Sequence, residues 1–449
     1  LAVIVVINLI VAQIPTSKTQ IDLSTQKMYS ITDDTKTALK DLDQDVTLYY
    51  IVQKGSENDT IQKLLQHYED LSDHIKVEQK DPDLYPKFTS QYTDQTVAAN
   101  SVIVVCGDKS KVVNNSDMWE TSTNYQTYQT QTTGFDGEGQ ITSAITYVTS
   151  DNNPKVYWIT GHNEPSESDL SSNFSDAISK NNVEISELSL MTEDIPEDAK
   201  ELVIMSPTVD YSEDEANKVI SYLENGGKLL MFTSYTGTDM PNLDSILENY
   251  GVKRSSGIVV ETDSQHYYPQ MPYYLLPNIQ SDDITTEVKS NYILMPVAQA
   301  IQKLDSYRDT ITIKSLLTTT EDAYIENDPE NSTWSKSADS ETGAFDLGVS
   351  ITETVDDKET QIIYFSSASM LSSQIDQAIS GANSKLAATA LTSMCDVEQN
   401  VVIPSKSTSY TNLVFTQGAV NTWSIITIAG IPLVLVVIGV MIWMKRRKQ

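Results

Sequence analysis

Alternating blocks of apolar and polar residues divide the chain into short strands and amphipathic helices. Residues 46–52 (VTLYYIV) are β-branched and aromatic, which predicts a strand. In 60–73 the apolar positions Ile61, Leu64, Leu65, Tyr68 and Leu71 recur at helical spacing. Strands are expected over 75–79 and 101–106, with Gly107-Asp108 turning the chain into a hairpin through 111–113. Thr32 is placed to cap a helix over 33–42, and 86–92 suggests a helical turn. Residues 114–133, rich in Thr, Tyr and Gln with no apolar alternation, read as a surface loop. A helix over 140–149 then leads to a turn at Asp151-Asn152-Asn153-Pro154.

Beyond that turn the period changes. Strands read at 156–160, 183–190, 201–206 and 228–233 alternate with helical patterns at 169–180, 213–224 and 243–250. Ser212 and Glu215 form a capping-box pair, and Gly226-Gly227 ends that helix. Buried strands alternating with helices predict a mainly parallel, doubly wound sheet. In such sheets ligands sit at the carboxyl ends of the strands. There the chain carries Thr160-Gly161-His162-Asn163-Glu164, so His162 and Glu164 are candidates for ligand or partner contact, with a purely structural turn as the alternative. Residues 255–345 read as an irregular insertion whose Tyr267, Tyr268, Tyr273 and Tyr274 are a candidate contact surface or simply local packing. Strands at 311–318, 345–355 and 359–365, the latter two joined at Asp356-Asp357, and a helix over 386–394 complete the domain.

The two ends are apolar. Residues 423–443 (WSIITIAGIPLVLVVIGVMIW) are uncharged, long enough for a hydrocarbon layer about 30 Å thick, and bounded by tryptophans. Lys445-Arg446-Arg447-Lys448 follows, which places the tail in the cytoplasm. Residues 1–14 (LAVIVVINLIVAQI) do not begin with Met and read as the outer part of a first transmembrane helix; a cleavable signal peptide is the alternative. The expected division is therefore a partial transmembrane helix 1–14, an extracytoplasmic module 15–150, an α/β domain 151–400, a linker 401–420, a transmembrane helix 421–444 and a basic tail 445–449. The module's β-α-β-α-β-β order resembles a thioredoxin-like fold but lacks Cys-x-x-Cys, so redox chemistry is not supported.

Composition narrows the function classes. With 62 acidic and 30 basic residues the net charge is −32, which argues against a nucleic-acid surface. The two cysteines, Cys106 and Cys395, have no metal-ligand or disulfide spacing, and four scattered histidines suggest no zinc site. No Cys or G-x-S-x-G elbow follows the 228–233 strand, so no catalytic residue, metal or cofactor is expected. No P-loop occurs, so ATP hydrolysis must reside on another chain.

Several stretches together resemble the auxiliary membrane component of bacterial ABC-type transport systems, a family that includes a gliding-motility-associated component. They are Asn8 in the first apolar segment, Asp22-Leu23-Ser24, Lys27-Met28-Tyr29-Ser30-Ile31-Thr32 with Thr35, and Val46-Thr47. Thr160 to Glu164, the strand through Ser206-Pro207, Ser212 to Glu215, Tyr222-Leu223 and Gly226 to Leu230 continue the match. The resemblance implies an extracytoplasmic, glutamine-amidotransferase-like α/β domain working beside an ATPase and a permease subunit. The family often has Gly-Asp after the last core strand, where this chain has Ser366-Ser367. The expected role is a non-catalytic accessory subunit that binds or gates substrate or scaffolds a transporter. The alternatives are a membrane-tethered hydrolase of carbohydrate or peptide, and a surface adhesion or sensing protein. The sequence names no substrate.

Overall fold

The computed structural model describes residues 27–93, 96–124, 129–150, 153–329, 333–395, 403 and 405–408. The two apolar segments, 1–14 and 423–443, lie outside the described residues. Among the described residues no helix is long and apolar enough to cross a membrane.

The chain folds into two α/β units, each around its own core. In the first, helix α1 (Asp33–Ala38) is capped by Thr32 as its sequence requires. Strand β1 (Val46–Ile51), helix α2 (Asp59–Leu71), β2 (Ile75–Lys80), β3 (Ser101–Cys106) and β4 (Lys109–Val113) follow. Their sheet has the order β2-β1-β3-β4. β2 runs parallel to β1, and β3 and β4 are antiparallel. The apolar stripe of α2 (Ile61, Leu64, Leu65, Tyr68) is wholly buried in that core.

Residues 114–133 are not the expected loop. They form the hairpin β5 (Trp119–Asn124) and β6 (Gln129–Phe135). Its strands are built from Thr and Gln with few apolar positions, so the alternation that marks a half-buried strand is missing although the residues are β-formers. Helix α3 (Gly137–Thr149) starts three residues earlier than its pattern suggests. Gly139 fits there because the Asp136 carboxylate, the Ile403 carbonyl and the Lys180 side chain leave no room for a Cβ.

The second unit begins with β7 (Lys155–Ile159), α4 (Ser172–Lys180), β8 (Glu184–Leu188), β9 (Ala199–Met205), α5 (Glu213–Glu224), β10 (Lys228–Phe232) and α6 (Pro241–Glu248). Strands β8-β7-β9-β10 are adjacent in that order and parallel. Successive side chains go to opposite faces. Val203, Met205, Leu230 and Phe232 join one core, where Phe174 and Ile178 of α4 pack. Leu202, Ile204, Leu229 and Met231 join the other, with Val219 and Leu223 of α5 and Leu243 and Ile246 of α6. Both faces are covered, which is why β7, β9 and β10 carry apolar runs, whereas the edge strand β8 (EISEL) keeps exposed polar positions. Each fully buried aliphatic side chain contributes roughly 1.5–3 kcal/mol.

The expectation of a mainly parallel sheet holds for only part of it. After α6 come β11 (Val252–Val260), β12 (Tyr267–Tyr268), β13 (Met271–Leu275), β14 (Asn278–Ile279), β15 (Met295–Pro296), β16 (Gln299–Lys303), β17 (Ile311–Thr318), β18 (Tyr324–Glu326), β19 (Asp346–Val355) and β20 (Lys358–Phe365). β20 pairs parallel with β10, but β19, β16, β11 and β18 extend the same sheet antiparallel, and β14 and β17 join it through β19. The region expected to be an irregular insertion therefore supplies five strands (β11, β14, β16, β17 and β18) of an eleven-stranded mixed sheet. Strand β11 was missed because its first half, Val252 to Ser256, carries Lys, Arg and two Ser before the apolar run. After the short helix α7 (Ser373–Ala378), helix α8 (Ala382–Met394) closes the first face.

Among the contacts that join the chain's two units and its returning end, two centre on buried carboxylates. At one, Lys180 at the end of α4 pairs with buried Asp136 (2.7 Å), and the Ser143 hydroxyl donates to the Lys180 carbonyl. At the other, the chain returns to the first unit as β21 (Lys406–Ser407), which pairs with β6. There the Lys406 ammonium meets Glu138 (2.7 Å) and also donates to the Ser30 carbonyl. Glu138 simultaneously accepts from the Thr32 amide (2.6 Å), the Thr32 hydroxyl (2.8 Å) and the Thr35 hydroxyl (2.6 Å). One buried carboxylate thus clasps the segment entering the fold and the segment leaving it. Burial alone would push Glu138 up, but Lys406, Thr35 and Thr32 hold it below the usual carboxylate range.

Candidate functional site

The strand order reverses at β7, whose neighbours are β8 and β9. A crevice is expected there, at the strands' carboxyl ends. The turn that leaves β7 needs unusual backbone: Gly161 has φ +125° and Asn163 φ +63°. A side chain at Gly161 would be strained and would crowd Met191. Asn163, one of the residue types that tolerate this region, anchors the turn through Thr208 (3.1 Å).

The turn carries His162 into the protein, where it is 5% exposed. Its Nδ1 lies 3.6 Å from the Glu164 carboxylate and its Nε2 3.4 Å from Glu215. The Tyr211 ring packs on the imidazole with centroids 4.4 Å apart. Each carboxylate already has work. Glu164 accepts from the His162 amide (2.6 Å) and the Tyr211 hydroxyl (3.3 Å). Glu215 accepts from the Ser212 amide (2.9 Å) and hydroxyl (2.7 Å), closing the capping box of α5. Burial, and next the Glu164 charge, hold the Tyr211 phenol well above its ordinary range.

The structure therefore joins His162 and Glu164 as their spacing suggests, and adds two partners. Glu215 does more than close the capping box read from the sequence; it is 3% exposed, against the imidazole. Its i+3 spacing from Ser212 signalled the cap, but no sequence signal pointed it at His162. Tyr211 was likewise unmarked. The chemistry available is limited. In a hydrolytic triad the histidine stands between the hydroxyl and the carboxylate. Here the Ser212 hydroxyl is bound to Glu215, so the carboxylate stands between the hydroxyl and His162. Among the described residues no group of three or more His, Cys, Asp or Glu is placed to hold a metal.

The tyrosines are not part of this cluster. Tyr267 and Tyr268 are in β12 and Tyr273 in β13 of a small three-stranded sheet with β15. Tyr268 is 45% exposed, whereas Tyr273 is half-buried and packs on Trp334 (4.4 Å) and Tyr274 (5.4 Å). A chain of hydrogen bonds nonetheless runs along the carboxyl rim of the large sheet between the two places. Thr208 donates to the His162 carbonyl, Ser206 to Ser234, Ala368 to the Thr233 carbonyl, Ser367 to the Pro296 carbonyl and Val297 to the Tyr273 carbonyl. Ser366 and Ser367, which follow β20, are both buried and serve this rim.

A cavity of about 990 Å³ lies elsewhere. It is lined by Ala199, Lys200 and Lys228 at the starts of β9 and β10 and by Lys218 and Tyr222 of α5. Lys218 is committed to the Leu190 and Glu193 carbonyls and to Asp194. Near this end of the sheet Glu201 is fully buried, accepting from the Cys395 thiol (3.1 Å). Burial pushes Glu201 well above the usual carboxylate range, with Cys395 and Lys228 opposing only in part. An acid raised on folding stabilises the fold fully below its unfolded pKa of about 4.3 and loses that contribution as pH rises. Glu201→Gln should therefore gain on wild type by about 1.4 kcal/mol per pH unit between that point and the carboxyl's raised pKa in the fold, and no further beyond it. Denaturant melts between pH 4 and 8 measure it; parallel curves would show that Glu201 is ionised in the fold.

The fold and this rim define a three-layer α/β protein joined to a smaller α/β module. The chain belongs to the family described as an ABC-type uncharacterized transport system, which matches residues 153–393, and that membership gives it an accessory, transport-related role. A domain of unknown function matches residues 25–119. No curated protein matches. Similar solved structures include the mmIFT52 N-terminal domain, at 14% identity and TM-score 0.38, covering 51% of this chain and 92% of that one. A putative ThuA-like protein from Parabacteroides merdae shows 13% identity and TM-score 0.29, covering 59% and 94%. An exo-beta-1,4-mannosidase from Opitutaceae bacterium strain TAV5 shows 10% and 0.29, covering 75% and 48%.

Proposed function

We propose that this chain is a non-catalytic accessory subunit of an ABC transporter, tethered at both ends to the membrane with residues 15–420 outside the cytoplasm. It works beside an ATPase and a permease, where it binds or gates substrate or scaffolds the complex. The observation that carries this reading is the family match over residues 153–393. The clasp at Glu138 supports the double tether, because it gathers Ser30 and Lys406, the approaches to the two apolar segments, at one place. The β2-β1-β3-β4 order with α2 between β1 and β2 supports a thioredoxin-like reading of the first module. The parallel β8-β7-β9-β10 set, wound on both faces, supports an amidotransferase-like reading of the second. The occupied carboxylates around His162 favour a binding or architectural turn over a catalytic one.

The genes on either side of this one test the proposal at low cost. Adjacent genes for an ATPase with a P-loop and for a polytopic permease are expected. A position among cell-wall hydrolases or adhesins, with no transporter genes nearby, would contradict it.

A further inference from the structure

Strands β4 and β8 are the outermost strands of their respective sheets. They border one cleft of about 610 Å³ between the two units. Ser110, Lys111 and Val112 line it from one side, and Glu184, Ile185 and Ser186 from the other. Neighbouring side chains of a strand point to opposite faces. Three consecutive residues lining a cleft therefore present the edge of the strand rather than a face. The hydrogen bonds of β8 agree. The Glu184 amide donates to the Pro154 carbonyl (2.9 Å) and the Leu188 carbonyl accepts from Thr160 (3.0 Å), so these residues turn their backbone toward β7. By alternation Ile185 turns its amide and carbonyl the other way, toward the edge where no strand pairs among the described residues. An exposed strand edge is a template for a further strand.

The cleft also holds a cation with spare capacity. The Lys111 ammonium donates to the Ser179 carbonyl (2.6 Å) and to Asn182 Oδ1 (2.9 Å), and lies over the Tyr147 ring. An ammonium has three donors, and among the described residues no carboxylate pairs with this one. In a chain of net charge −32 this is an unusual omission. Burial lowers it to about 8. Glu184 also lines the cleft, but it accepts from Tyr147 and Asn153.

We propose that this cleft binds an extended peptide segment of a partner protein, added as a strand to the β8 edge, with one carboxylate of that segment on Lys111. The volume is within the range of roughly 300–1,000 Å³ usual for ligand sites. The inference names a contact for the accessory subunit, but it stands on the strand edges and Lys111 and does not need the transporter partners to be correct.

The test uses the full chain in mild detergent with two N-acetylated heptapeptides of alternating Val and Thr, one with a central Glu and one with a central Gln. Hydrogen exchange resolved at single amides reads the Ile185 amide. The Glu peptide should slow that amide at least tenfold at saturation, and the Gln peptide should bind about tenfold more weakly for want of a charge-assisted bond. Lys111→Met should make the two peptides equal while leaving the protection at Ile185 in place. Because Lys111 also braces the two units, Ile185→Pro is the second variant, with Ile185→Ala as the reference for the packing that Ile185 gives the core; proline is tolerated on an edge strand, and it should abolish binding of both peptides while the alanine variant still binds them. Absence of protection at Ile185 with either peptide would overturn the proposal. So would equal binding of the two peptides by wild type, or full competition by acetate, which would make Lys111 a small-anion site only.

Discussion

Glu138→Ala is expected to cost about 3 kcal/mol and to free both ends of the first unit at once. Breaking a buried ion pair by removing one member leaves the other charge without compensation, and this cost dominates. Lys406, only 10% exposed, would lose its carboxylate, and the Thr32 amide and the Thr35 hydroxyl would lose their acceptor. Strand β21 should then detach from β6, which exchange at the Thr408 amide reports, since it donates to the Thr133 carbonyl. Glu138→Gln keeps the shape and should cost less than the alanine change. The pH dependence has a definite sign. Glu138 is held below its ordinary range, so its contribution is present above the unfolded pKa of about 4.3 and is lost as pH falls. Wild type should converge on the variant in acid. A Glu138→Ala protein that melts with wild type, with Thr408 still protected, would show that the clasp is incidental.

The second large effect is expected at Glu164. Its side chain is fully buried and holds the His162 amide and the Tyr211 hydroxyl. Glu164→Ala leaves two buried donors without acceptors, each worth about 1–3 kcal/mol, so a loss of about 2–4 kcal/mol is expected. The loss should be structural. Denaturant unfolding should move to lower concentration at unchanged slope, and no hydrolytic activity on glycan or peptide substrates should disappear with it. Loss of a measurable turnover at unchanged stability would instead place Glu164 in a reaction and revive the hydrolase reading.

These residues show what the pattern of the chain could reveal. Strands β7, β9 and β10 were legible because both their faces are buried and each carries an apolar run, which Gly161 closes after β7 and Pro207 after β9. The capping box at Ser212 and Glu215 was legible because both members lie within four residues. The hairpin at Asp356-Asp357 was legible for the same reason, and both residues take the positive φ that such a turn needs (+48° and +65°). What failed is non-local. Glu215 pairs with a histidine 53 residues earlier, and Glu138 with a lysine 268 residues later, and no local period encodes either contact. Strands β5, β6 and β11 escaped because their polar or mixed residues carry no single-face alternation. The tyrosines were marked as a group, but no local pattern told that they belong to a separate three-stranded sheet with β15.

The most direct measurement of the central claim is purification of the full chain from its own membranes in mild detergent, after brief chemical crosslinking. An ATPase and a permease subunit should be recovered in fixed proportion to this chain, and the Glu164→Ala protein that remains folded should recover them too. Recovery of the chain without either subunit would contradict its role as an accessory of an ABC transporter.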